Sequence, residues 1–534
     1  VRRRLLLALA FVLAFTPPPD AAAAAKEPAL WEPGIRDPGR GLVGRWEREL
    51  ARREGLLRGR KGPEAVVGLL GLVVELGGEI ADTRLDGLLR GVGEDRRQDP
   101  LVRSYAGYLR GELAEARGDR AAARRFYEAE GYVLGWQIVG PFDNSGGAGH
   151  DAIFAPETTP FDGGQSFTGT LPGEALLWQQ VDYDQAPRRG YVALDDRLSP
   201  SEHATGYATV WIRAARPTAA ALHLGTSGPY RVWLDDEEIG DGGAYRAAHP
   251  LQETHGLALA PGVHRLLVKV SAEEGGLGAL RAAERARGRI AGRRRGVVDA
   301  AGRGREGGWR RGASAARAVT ARSLRQALVA RASGPRATGA ALLDLVELER
   351  WTHPYRSGDR TAVEHARTAD AALRSSRSAW LLALADPDPT SSQAAMLRGI
   401  ERARAEGAAG RPLLAHLLVE LGWRERALGL NERFRGRIAE ARALAPDDAE
   451  IEAIAAAALA ESGFPLVSLA WMEDLVRRYP ESTLLRGELV ERLLALGADG
   501  GGAGGADAAA WRLRAQRRGG PTDRRGSADA GAAG

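Results

Sequence analysis

Nine histidines and no cysteine set the limits of metal and nucleophile chemistry in this 534-residue chain. Without a thiol there is no disulfide framework, no zinc-thiolate site and no thiolate nucleophile. No two histidines stand at the spacing that aims both imidazoles from one helix face at zinc, and no serine occupies a nucleophile-elbow context. The loop DNSGGAGHD, Asp143 to Asp151, offers two carboxylates to a cation. It lacks the Lys-Ser/Thr of a phosphate loop and the alternating acids and closing Glu of a calcium loop. It reads as a structural loop, with Asp143 and Asp151 as candidate ligands. Among the tryptophans, Trp136 and Trp211 lie in apolar runs and are expected in a core. Trp233 alternates with Tyr230 and Val232 and lies between Arg231 and Asp235, which makes it the surface candidate. Trp233 and Tyr230 are the aromatics offered to a carbohydrate. These residues predict no catalysis, no cofactor and no metal ion.

The elements that carry them read as strands. From Gly131 the periodicity changes from helical to alternating, beginning with GYVLGWQIVGPFDN. ALHLGTSGPYRVWLDDEEI reads as two strands joined at Gly225 to Gly228, with a tight turn at Asp235-Asp236 before Ile239. LALAPGVHRLLVKVS reads as a strand, a Pro-Gly turn and a strand whose His264, Leu266, Val268 and Val270 share one face. Short strands at this spacing predict an antiparallel β-sandwich of jelly-roll type over 131–275. GPFDN, RVWLDDEEI and PGVHRLLVKV give the block a resemblance to the galactose-binding-like sandwiches of secreted bacterial proteins.

Helical patterns flank this block. Pro412, Pro446 and Pro480 stand 34 residues apart, and Gly429, Gly463 and Gly497 keep the same step. Leu421-Gly422 and Ala441 fall at further positions of a helix-hairpin pattern. Gly111, Gly118-Asp119, Ala123 and Phe126-Tyr127 repeat it upstream of the strands. In spacing and in these residues the chain resembles tetratricopeptide-repeat proteins. That resemblance implies stacked helix hairpins, with glycine at the inner turns, proline closing the second helix, and a surface for a protein partner. The predicted class is therefore multidomain α plus β, helical repeats flanking a sandwich. The layout resembles exported proteins of high-GC bacteria in which a transglutaminase-like domain can follow.

Composition adds compartment and boundaries. Arg2, Arg3 and Arg4, then apolar Leu5 to Phe15, then the small run Ala21 to Ala25, have the order of an export signal. Cleavage is expected near Lys26, giving a periplasmic or extracellular product with no membrane span beyond the signal. The net charge of +5 is unevenly spread. Between Arg281 and Arg336, 16 Arg face three acids, a net of +13, and the tail from Gly501 carries six Arg and three Asp, a net of +3. The rest is therefore −11 (5 − 13 − 3), so the globular parts are acidic and no nucleic-acid partner is expected. The predicted domains are a signal at 1–25, helices at 26–130, the sandwich at 131–275, an Arg/Gly-rich linker or frameshifted segment at 276–322, a helical array at 323–499, and a disordered or frameshifted tail at 500–534. On the frameshift reading the third hairpin loses its second helix and leaves a sticky end. The sequence thus predicts an exported, non-enzymatic scaffold that binds proteins through its helical repeats. The alternatives are a carbohydrate-binding envelope protein, or the N-terminal part of a transglutaminase-like protein.

Overall fold

Caps and turns written into the sequence start and stop most of the helices. The computed structural model describes residues 45–169, 173–183, 191–246, 248–273, 278–285, 317–319, 321–334, 337–353, 360–446, 448–480 and 482–499. They fall into two compact units, one spanning Trp46–Leu417 and the other holding Leu418 onward. The segment expected to be an export signal, most of the Arg-rich stretch and the tail lie outside the described residues.

The first unit opens with α1 (Arg45–Gly59), a 3-10 turn (Pro63–Gly68), α2 (Leu72–Leu76), α3 (Asp82–Glu94), α4 (Pro100–Ala116) and α5 (Arg120–Ala129). Asp99 caps α4 ahead of Pro100, and Asp119 caps α5 by accepting from the amide of Ala122. Gly118, with φ +81°, turns the chain between them as the sequence predicts. Gly111 lets the two helices approach so closely that a Cβ there would lie 2.4 Å from the Tyr127 ring.

Two larger sheets follow. The six-stranded sheet has the order β4 (Gln179–Asp182), β1 (Gly135–Asp143), β6 (Ala204–Ala214), β11 (Gly262–Ala272), β8 (Tyr230–Leu234), β9 (Glu237–Gly242). The five-stranded sheet has the order β13 (Arg317–Val319), β10 (Glu253–Leu259), β7 (Thr218–Thr226), β12 (Gly278–Arg285), β5 (Tyr191–Ala193). All their pairings are antiparallel. One apolar core takes residues from both sheets, including Trp136, Leu222, Leu257, Leu266, Val268 and Val270. Asp235 and Asp236 both adopt positive φ, which gives the β8–β9 hairpin the twist a two-residue turn requires.

Three expectations change here. The Pro261-Gly262 turn does not close a hairpin: β10 pairs with β7, β11 pairs with β6 and β8, and the chain crosses between sheets. The sheet does not end at 275. Gly278–Arg285 forms a strand between β7 and β5, and Arg317–Val319 pairs with β10, inside the stretch expected to be a linker. Backbone pairing, from both neighbours for Gly278–Arg285 and from β10 alone for Arg317–Val319, supplies what weak hydrophobic alternation could not signal. Nor are the sheets bounded on their own. Arg60 reaches Asp344 at 2.7 Å, Gln252 donates to the Thr352 carbonyl at 2.9 Å, and Gly71 leaves room for the Trp351 ring. These contacts tie the leading helices and the sheets to α8 (Gly339–Thr352), which follows α7 (Leu324–Ser333). The unit then runs on through α9 (Thr361–Leu373), α10 (Ser376–Ala385) and α11 (Pro389–Ala405), and the division falls within α12 (Arg411–Ala427).

The second unit continues with α13 (Asn431–Leu444), α14 (Ala449–Glu461), α15 (Pro465–Arg478) and α16 (Thr483–Asp499). Gly429 (φ +77°) and Gly463 (φ +95°) lie in the turns after α12 and α14. Pro446 and Pro480 lie between α13 and α14 and between α15 and α16. Gly497 departs from the expected ladder, because it lies inside α16 rather than in a turn. A glycine costs a helix only about 1 kcal/mol, so it does not end one by itself. Leu421 is buried, and a Cβ on Gly422 would meet Phe434 at 3.2 Å, so Gly422 lies where α12 and α13 pack. Ala441 is fully buried on α13. Ala441→Leu is expected to overfill that contact and lower stability by about 1–3 kcal/mol, read as a lower urea midpoint. An unchanged midpoint would show that the position is not tightly packed.

Candidate functional site

Strand alternation sends Leu266, Val268 and Val270 of β11 into the core between the sheets and turns Arg265, Leu267 and Lys269 to the opposite face of the six-stranded sheet. On the neighbouring strands Lys269 lies beside Tyr207 and Arg231, and Leu267 beside Thr209 and Trp233. This face is not open. A second apolar cluster lies on it, in which Phe167, Leu176 and Trp178 of the connection after β1 pack with Val139, Phe142, Tyr207, Trp233 and Leu267. The connection includes α6 (Ala155–Thr158) and the hairpin β2 (Ser166–Thr168) with β3 (Ala175–Leu177).

Lys269 fastens the connection to the sheet. Its side chain is fully buried, and Nζ donates to the Ala152 carbonyl at 2.5 Å and to Glu157 Oε1 at 2.8 Å. The same ammonium lies 5.2 Å from the Phe154 ring and 5.8 Å from the Tyr207 ring. Tyr207 donates its hydroxyl to the same Glu157 oxygen. Burial pushes the Lys269 pKa below its ordinary value, and the Glu157 carboxylate opposes that shift. Burial, then the bond to Glu157, pushes the Tyr207 phenol well above its own. Ammonium and carboxylate are each occupied by the other and by neighbours. The chemistry of the arrangement is clamping.

The predicted ligand residues are distributed by this cover. Trp233 does face away from Val232, but it is 7% exposed because the connection lies over it. Tyr230 is 2% exposed, points into the core between the sheets, and its hydroxyl meets His255 Nε2 at 3.1 Å. The expected aromatic surface is therefore corrected: neither ring is available for stacking. Asp143 is exposed and accepts from the amide and hydroxyl of Ser145 at 3.1 and 2.6 Å, which holds its carboxyl below the usual range. Asp151, with an 83% exposed side chain, faces Arg231 at 3.3 Å. Among the described residues no group of three or more acids or histidines could hold a metal ion. No helix among them is long and apolar enough to cross a membrane.

Residues that sequence reasoning passed over hold the loop. Asn144 is fully buried, donates to the Ala272 carbonyl at 2.9 Å and accepts from the Gly149 amide at 2.9 Å. Lys269 carried a readable signal, a lysine in the middle of the apolar run LLVKVS. Elsewhere in the first unit, Glu347 lies between Arg350 at 2.8 Å and Arg377 at 3.6 Å. Burial works to raise its pKa, but Arg350 and Arg377 overcome that and bring it down to about 2.

No family model matches the chain, and no curated protein matches it. Solved structures that match include a β-glucosidase from Kluyveromyces marxianus in complex with glucose. It is 22% identical over 16% of this chain and 10% of that one, with a TM-score of 0.14. A GH31 α-xylosidase from Xanthomonas citri is 15% identical over 20% of this chain and 12% of its own, with a TM-score of 0.15. The chain spans about a tenth of the length of these structures.

Proposed function

We propose that the chain is an exported, non-enzymatic scaffold in which tetratricopeptide-like hairpins bind a protein partner and a jelly-roll-like sandwich serves as structural support. The observation that carries this reading is the 34-residue register. Two glycines one period apart take the same left-handed conformation after α12 and α14, and exposed apolar side chains lie near those turns. Leu428 is 71% exposed, Leu466 69% and Val467 47%, next to Gly429 and Gly463. Apolar side chains this open beside repeated turns suit an apolar segment of another protein. Covered as they are, Trp233 and Tyr230 give the carbohydrate alternative no aromatic platform.

The test is capture from a periplasmic extract by the full chain, run beside Leu428→Asp and Leu466→Asp/Val467→Asp variants of unchanged circular dichroism. A protein held by the wild type, lost by the variants, and able to capture the chain in the reciprocal experiment supports the reading. Retention of the same proteins by all forms overturns it.

A further inference from the structure

Helix α16 carries one face that its predecessors bury and it does not. Thr483, Gly487, Val490 and Leu494 follow the 4-3-4 spacing of a single helical stripe. All four are exposed, Val490 by 45% and Leu494 by 43%, and nothing lies within 4 Å of a Cβ built on Gly487. One period earlier, on α14, the same positions are Ala449, Ala453 and Ala456, which are 0–3% exposed, followed by Ala460. There the second helix of the hairpin covers the stripe: Ser468 of α15 donates its hydroxyl to the Ala456 carbonyl at 2.5 Å. Two periods earlier, Val419 is buried and Gly422 faces Phe434 and Arg437 of α13.

The chain's next residues are poor material for that cover. One period beyond Trp471 and Met472 stand Gly505 and Ala506, within a run that also holds Gly500, Gly501, Gly502 and Gly504. Small residues fill no groove, and each glycine costs a helix about 1 kcal/mol relative to alanine.

Charge selects another occupant. With Gly487 and Leu494 as the a positions and Thr483 and Val490 as the d positions, the exposed Arg486 is a g residue and the exposed Glu491 the following e residue. In a parallel pair of helices, g of one chain meets the next e of the other, so Arg486 faces Glu491 of the second copy twice over. An antiparallel pair would set Arg486 against Arg486 and Glu491 against Glu491. Arg486 Nη1 also donates to the Pro480 carbonyl at 2.7 Å, which leans the side chain along the start of the helix. We propose that α16 pairs with α16 of a second copy of this chain, in parallel about a two-fold axis, through Thr483, Gly487, Val490 and Leu494. The inference uses the 34-residue register and is independent of any foreign partner. Such a pair buries less than the roughly 1,200–2,000 Å² of a standard interface, so the dimer is expected to be weak, with a dissociation constant of about 10 µM or above.

Sedimentation of the full chain over a concentration series tests it. The expected result is a reversible dimer, weakened at least tenfold by Leu494→Asp, Glu491→Arg or Arg486→Glu. Mixing the Glu491→Arg and Arg486→Glu chains should restore a one-to-one dimer, because both cross-pairs regain opposite charge. The chain has no cysteine, so Leu494→Cys should form a disulfide-linked dimer on mild oxidation while Leu428→Cys does not. A wild-type chain that stays monomeric to about 500 µM overturns the proposal, as does a dimer indifferent to all three substitutions. A monomer that dimerises only once residues 500–534 are deleted also overturns it, and assigns the stripe to the chain's own tail.

Discussion

Lys269→Ala should lower the stability of the first unit by about 3–5 kcal/mol, because it leaves the buried Glu157 carboxylate without its cation and the Ala152 carbonyl without its donor. The loss should extend beyond the pair. Glu157 also accepts from Tyr207, and the connection that bears it covers Trp233 and Leu267. Loosening the clamp should therefore raise tryptophan accessibility to quenchers along with the shift in urea midpoint. Lys269→Met with Glu157→Gln separates the charge from the packing. Methionine fills the lysine's path, and the glutamine oxygen still accepts from Tyr207. That double variant should recover most of the lost stability. If the single and double variants fall equally, the ion pair is not what holds the cover down.

Acid should weaken the same unit from below pH 6.5. His249 is buried against Tyr105, and burial lowers its pKa from 6.5 to about 3. Its Nδ1 accepts from the Leu251 amide at 3.2 Å, so the neutral ring carries its proton on Nε2 and offers it to the Tyr105 oxygen at 3.3 Å. For a group whose folded pKa is depressed, the unfolded chain binds the proton first. The stabilisation is then complete above pH 6.5 and is lost as pH falls toward 3. On the scale of 1.36 kcal/mol per pKa unit, the loss is of the order of 4 kcal/mol. Glu347 adds a lower step of the same sign between 4.5 and about 2. Stability measured by urea unfolding from pH 7 to pH 3 should fall continuously, and His249→Gln should flatten the upper part of that curve. A wild-type profile level down to pH 4.5 would show that the ring is charged without penalty in the fold.

Much of the local structure was legible in the residues. Gly118, Gly429 and Gly463 take left-handed conformations at helix ends, Asp235-Asp236 makes the tight turn, and Trp233 faces away from Val232. Each depends on a few consecutive side chains and on backbone periods of 3.6 or 2, which sequence displays directly. Coverage does not depend on them. Trp233 was readable as outward-facing but not as buried, because what hides it is a connection pinned by Lys269 to Glu157, 112 residues away. The same limit hid the strand at Gly278–Arg285, whose place rests on backbone bonds to β7 and β5. It also hid the joining of Arg60 to Asp344, 284 residues apart, which merges three expected domains into one unit. Periodicity thus determined which face each side chain takes, and only the long-range packing decided which faces meet water.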